Sequence, residues 1–248
     1  MTNDRKIEIE LSATYYWDHF SYILRYIDRH YLPLLQEKEI AFLKDFSELP
    51  FAAQCLYLRL ASRRSACFRI EKLHYPEIGD VGTPLRVLRT SGFLSDVSDG
   101  VETIFTKQEC VTLAKKQGIK IPSSASKEEV AALVSSADLI ASFSVGVVAP
   151  ARVEVFAFLQ FLFFGTRSRD LTDFVVRDLG HRAFVEVKEE DLKPYFQTRD
   201  EAEQKWAISM WREWFYTTSV SADEMLASWR VHLLPLASSL LEPSIRAF

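Results

Sequence analysis

The chain has 248 residues, of which 48% are apolar and only eight are glycine and nine proline, a balance that excludes a disordered protein and suffices for one or two domains with buried cores. Thirty lysines and arginines stand against 34 aspartates and glutamates, a formal net charge of −4, so a wholly basic coat protein for nucleic acid is excluded and any contact with a polyanion has to be local. Cys55, Cys67 and Cys110 form no CxxC pair, and the five histidines, His19, His30, His74, His181 and His232, lack metal-ligand spacing, so a reducing compartment and no structural metal are expected.

The opening MTNDRKIEIEL mixes charges without an apolar stretch, so a signal peptide is not expected. The most apolar run, residues 155–164, is about half the ~20 residues of a membrane span, so no membrane partner is expected. The expectation is a cytoplasmic chain, nucleoid-associated in a bacterium or nuclear in a eukaryote.

Over residues 15–49, Tyr16, Phe20, Ile23, Leu24 and Ile27 recur at helical intervals, Pro33 breaks the run, and Ile40, Leu43 and Phe46 begin a second helix. The aromatic stripe reads as core, and residues 1–50 as a helical scaffold. Residues 54–94 then carry a helix with Ala53, Leu56, Tyr57 and Leu60 on one face and Arg59, Arg63 and Arg64 on the other. Cys67, Phe68 and Ile70 give a short extended run, Tyr75-Pro76 a break, and Leu85, Leu88 and Leu94 a second helical pattern, with Gly92 placed to end that helix in a left-handed conformation. This is the order of a winged-helix-like or helix-turn-helix unit, assigned to residues 51–105. Arg59, Arg63, Arg64, Arg69 and Lys72 face only Glu71 over residues 54–75, a cluster suited to a polyanionic backbone or, alternatively, to a solvated helix face.

Leu56-Tyr57, Arg59-Leu60, Arg63-Arg64, Leu73, Tyr75, Glu77-Ile78 and Gly92-Phe93-Leu94 resemble the N-terminal region of the Fanconi-associated nuclease family. That family has there a leucine-tyrosine-x-arginine-leucine helix, a leucine-x-tyrosine-x-glutamate-isoleucine segment and a glycine-phenylalanine-leucine end. A second block, Leu162-Phe163-Phe164-Gly165, Arg167, Asp170-Leu171, Phe174-Val175, Arg177 and Asp178-Leu179-Gly180, followed by Phe196 and Arg199, resembles it in the same order.

Residues 95–105 read as a polar turn and a short apolar strand, a wing or a linker. Thr106 with Glu109 and Ser126 with Glu129 are capping boxes that start two short helices, and Gly118 ends the first before an extended connector. Residues 106–150 thus look like a SAP-type DNA-binding module, which the family also carries, with Lys107, Lys115, Lys116, Lys120 and Lys127 as its phosphate contacts; a generic helical hairpin gives the same pattern. In residues 151–248, the run 153–164 is apolar on every face and should be buried. Helical patterns follow, with Trp206, Met210 and Trp214, then Met225, Trp229 and Leu233, on apolar faces, where the family begins an array of helical repeats. A mainly α fold is expected, with short strands near Phe68, at residues 93–97 and at 184–187.

The resemblance implies the DNA-binding half of a structure-specific 5′ flap endonuclease and exonuclease of interstrand-crosslink repair. Its VRR-NUC catalytic domain, which would bring Mg²⁺ or Mn²⁺, is not in this sequence, so a nuclease domain supplied in trans is a candidate partner beside duplex or branched DNA. One arrangement keeps an enzyme reading open: Asp173, Glu186 and Lys188 have the residue types and order of a PD-(D/E)xK nuclease, two carboxylates for a metal and a lysine for the attacking water. The chain itself is expected to be non-catalytic and to need no cofactor. A helical protein-interaction scaffold without a nucleic-acid role is the other reading.

Overall fold

A computed structural model describes residues 12–174, 193–218 and 221–232. It is mainly helical, as expected, and its described residues fall into two compact units, one of Ala13–Trp17 and Phe42–Val153, the other built on Asp18–Ala41 and the described part of Glu154–Phe248. Strand pairing and ring packing run across the expected boundaries at residues 105 and 50, as in Phe68↔Val148 and Phe42 against Tyr57.

Helix α1 (Tyr15–His30) and α2 (Glu37–Glu48) flank a 3-10 turn that carries Pro33, where the missing amide proton of proline costs nothing. The buried face of α2 consists of Glu39, Phe42 and Phe46, continuing to Leu49, while Ile40 is 48% exposed, so the apolar face is rotated from the one expected on Ile40. Helix α3 (Phe51–Ala61) buries Ala53, Leu60 and all of Cys55 through Leu58. Four consecutive buried residues cover every direction around a helix, so α3 is not the amphipathic helix with a cationic back that its spacing suggested.

Strand β1 (Phe68–Arg69), helix α4 (Gly82–Thr90) and strand β2 (Leu94–Asp96) complete the helix, strand, helix, strand order of the winged-helix-like unit. Gly92 ends α4 at φ +71°, with the Phe93 amide donating to the Leu88 carbonyl at 2.8 Å, as its position implied; Leu94 lies in the strand beyond. Residues 102–104 form a 3-10 turn rather than the expected strand: Val101 and Phe105 are buried, but Thr103, which an alternating strand would place on their face, is exposed.

Helices α5 (Lys107–Lys116) and α6 (Lys127–Ala131) start on the two expected capping boxes, and a third helix, α7 (Ser136–Phe143), starts on Ser135. Strand β3 (Val147–Pro150) was not anticipated. It is the centre of a three-stranded antiparallel sheet ordered β1-β3-β2, in register Phe68↔Val148 and Ser95↔Ala149. Gly146 enters it so closely that a Cβ there would lie 2.8 Å from Cδ1 of Ile70. Under this sheet Val101, Phe105, Cys110, Leu113, Val130, Leu139 and Val147 form one core.

In the other unit, helix α8 (Val153–Phe164) buries Phe156 and Phe158 through Leu162, as its all-round apolarity predicted. Helices α9 (Arg199–Thr217) and α10 (Ala222–His232) pair as a hairpin, in which the Trp211 indole donates to Ser228 Oγ at 3.2 Å. Trp206 packs edge-on to Phe158 and Phe161, but Met210 and Trp229 are exposed, against expectation. The Tyr31 hydroxyl accepts the amides of Tyr195 and Phe196, and Phe196 stacks on Phe161 at 5.0 Å. Leu233, the strand expected at 184–187 and the catalytic candidates Glu186 and Lys188 lie outside the described residues.

Candidate nucleic-acid interface

The ten basic residues singled out above divide into two groups. Four are engaged inside the fold. Arg59 donates to Oε1 of Glu77 from Nε at 2.8 Å and Nη2 at 2.5 Å, and its guanidinium lies 4.1 Å from the Tyr16 ring centroid. The Tyr16 hydroxyl donates to the same carboxylate oxygen. Burial alone would raise the pKa of Glu77, but its own backbone amide, Arg59 and Tyr16 together hold it below the ordinary carboxylate value. Arg59 is therefore a structural arginine, and the face of three arginines expected on α3 does not exist. Arg59→Ala should cost on the order of 2 kcal/mol of stability in urea unfolding, because it leaves a carboxylate that is 9% exposed without its main partner.

Arg69 is also internal, its side chain 8% exposed. It pairs with Glu71 at 2.5 Å and Glu109 at 2.6 Å over the face of Phe105. Lys107 donates to the carbonyl of Ala125, and Lys127 to that of Thr103 at 2.7 Å, so both tie the loops of their own module together.

The remaining six, Arg63, Arg64, Lys72, Lys115, Lys116 and Lys120, are exposed, and none has an ion-pair partner among the described residues. Arg63 and Arg64 follow the end of α3 in a turn of small residues, Ser62 to Ala66, which lets the chain straighten into β1. The Arg63 guanidinium stands 5.5 Å from the Tyr75 ring centroid and 5.9 Å from that of Phe68. Aromatic faces hold a cation in place without consuming its N–H donors, which stay available for an anion. Arg63, Lys72 and the inner Arg69 line one open recess with the hydroxyls of Ser65 and Thr103 and the apolar Phe68 and Ile104, and no acidic side chain lines it. Ser65 and Thr103 were missed by sequence reasoning, which weighed charge and not the hydroxyls beside it.

Asp173 accepts the backbone amide of Asp170 at 3.1 Å, the role of a turn-capping carboxylate. Among the described residues no three His, Cys, Asp or Glu side chains group as a metal site. No described helix is long and apolar enough to cross a membrane.

Residues 14–95 match the family model for the FAN1 HTH domain. The chain is 29% identical over 185 residues to the Fanconi-associated nuclease 1 homolog of Pseudomonas aeruginosa, covering 70% of this chain and 33% of that protein. To the homolog of Arabidopsis thaliana it is 30% identical over 109 residues, covering 44% of this chain and 12% of that one. It thus spans about a third of the bacterial relative and less of the plant one. Its fold is similar to that of paFAN1 crystallised with 5′ flap DNA containing a gap, with a TM-score of 0.76 and 25% identity over 87% of this chain and 42% of that one. A matching helix-turn-helix region, relatives in a bacterium and a plant and a shared fold all agree in what the chain is similar to, the N-terminal region of the Fanconi-associated nuclease family.

Proposed function

We propose that this chain binds DNA through the phosphate backbone, as the DNA-binding region of a Fanconi-associated nuclease that acts on 5′ flap structures. The observation that supports it is the recess at Arg63 and Lys72: two exposed cations line it with Ser65 and Thr103, and no acidic side chain does. Arg64, and Lys115, Lys116 and Lys120 of the SAP-like module, extend the cationic surface. Arginine offers phosphate a planar fork with paired donors, lysine a mobile point charge. The similarity to a flap-DNA complex supports DNA as the partner. Contacts to phosphate carry no base information, so sequence preference should be slight.

A salt titration by fluorescence anisotropy on a flap duplex tests this. Replacing both Arg63 and Lys72 by glutamine should weaken binding and flatten the plot of log K against log salt by about 1.8, at ~0.9 per phosphate contact. Arg59→Ala should leave that slope unchanged. If the double variant keeps the parental affinity and slope, the recess is solvated surface; if the parent itself does not bind, the interaction-scaffold reading replaces this one.

Cleavage belongs to the nuclease domain of the longer relatives, with its Mg²⁺ or Mn²⁺. The purified chain should leave a 5′ flap substrate intact with either ion, and cutting that disappears in Glu186→Ala would restore the PD-(D/E)xK reading.

A further inference from the structure

The cations of this unit lie on two elements of one compact unit. Arg63 and Lys72 sit on the segment around β1, whereas Lys115 and Lys116 end α5, about 10 Å along the helix axis from Glu109 at 1.5 Å per residue. The two share one hydrophobic core, and a single polar clamp sets how they meet at the surface. Arg69 on β1 reaches Glu71, next to Lys72, with Nε, and Glu109, in the first turn of α5, with Nη1. Glu109 at the same time accepts the Thr106 amide at 2.7 Å and the Thr106 hydroxyl at 2.9 Å, so the carboxylate that closes the capping box of α5 is also the anchor of Arg69. The Phe105 ring lies 4.7 Å under the guanidinium and completes the clamp.

The geometry points to Arg69 as a positioning residue: through Glu109 it fixes α5 against the β1 segment, so that the α5 lysines and the recess cations engage one DNA duplex together. This rests on the DNA-binding reading above. Cations held on one rigid frame bind as a single multivalent surface, while cations on bodies free to shift lose part of that gain. In this arrangement Nε and Nη1 of Arg69 are given to two carboxylates.

The clamp and simple charge predict opposite signs. Glu109→Gln removes a negative charge from a DNA-binding face and keeps a residue able to close the capping box. If charge alone mattered it would tighten binding; the clamp predicts that it weakens binding by roughly three- to tenfold, the scale on which contacting groups couple. Arg69→Lys, which leaves net charge unchanged but offers one nitrogen where two reach separate carboxylates, should weaken binding in the same range and covers the case in which Glu109→Gln fails to fold. The experiment is anisotropy on a flap duplex at one salt concentration, with both variants shown to be folded by circular dichroism.

A double-mutant cycle separates positioning from general destabilisation. In the Arg69→Lys background, adding Lys115→Gln and Lys116→Gln should cost clearly less than in the parent, while Arg63→Gln keeps its full effect. Parental or tighter binding by the folded variants, or additivity throughout, overturns the inference and leaves the DNA-binding reading intact. A parent that shows no salt-dependent binding overturns both.

Discussion

Glu39→Ala is expected to destabilise the chain by about 3 kcal/mol, because it removes the buried partner of a largely buried arginine and leaves it only the half-exposed Glu203. The Glu39 side chain is 1% exposed and pairs with both terminal nitrogens of Arg199, at 3.1 and 3.2 Å; the Arg199 side chain is 16% exposed and lies over the Phe158 ring. Arg199 also donates to Glu203 and to the Leu34 carbonyl, so the start of α9 is fastened to α2 and to the turn before it. Replacing both members of the pair by methionine should recover most of the loss, since an apolar pair of similar volume has no charge left to desolvate. Urea unfolding of the parent, the single and the double variant measures this. A loss below about 1 kcal/mol for Glu39→Ala would place the pair among the weak surface bridges.

Arg199 shows how far the sequence could be read. Its recurrence in the family pattern marked it, but no local signal tells a structural arginine from a phosphate-binding one. The partner, Glu39, is 160 residues away and sits on a helix whose polar and apolar spacing looked ordinary. The same holds for Arg59 and Arg69. Each stood in a cluster with an excess of positive charge, and each proved to be neutralised by a carboxylate brought in by the fold, Glu77 18 residues on and Glu109 40 residues on. Counting charge over a window registers surplus, not pairing.

Short-range chemistry was legible. Both capping boxes and the left-handed glycines Gly92 and Gly118 stand where they were expected, because each needs only residues within one turn. β3 was missed because its Val147-Val148 pair is too short a run to show alternation and because its partners, Phe68 and Leu94, are 80 and 56 residues away. The end of α3 was misplaced for a related reason. Arg59 and Arg63 are four apart, the spacing of one helical face, and the need to extend the chain toward β3 stops the helix at Ala61 before that spacing is completed. The recess depends on that early stop, since it is the turn after Ala61 that carries Arg63 out to Phe68, Lys72 and Thr103.

The Arg69 clamp also makes stability depend on pH, with a sign that its chemistry sets. Burial by itself would raise the pKa of Glu109, but hydrogen bonds from Arg69 and from the amide and hydroxyl of Thr106 outweigh it and bring the group down to about 2, against an ordinary value of 4.5. A depressed carboxylate stabilises the fold when it is ionised. Its contribution is therefore complete above about pH 4.5, and it is lost as the pH falls through the folded value toward 2. The shift corresponds to about 3 kcal/mol at 1.36 kcal/mol per unit. Glu77, held low by its own backbone amide and by Arg59 against its burial, adds a loss of the same sign. The contribution of Glu109 is isolated by the difference between the parent and Glu109→Gln in urea unfolding from pH 7 to pH 2. The parent should be the more stable by about 2–3 kcal/mol at pH 6, and the two should converge near pH 2 as the carboxylate protonates. Curves that stay parallel across that range would mean that Glu109 is not held by Arg69, and the positioning role of Arg69 in DNA binding would lose its physical basis.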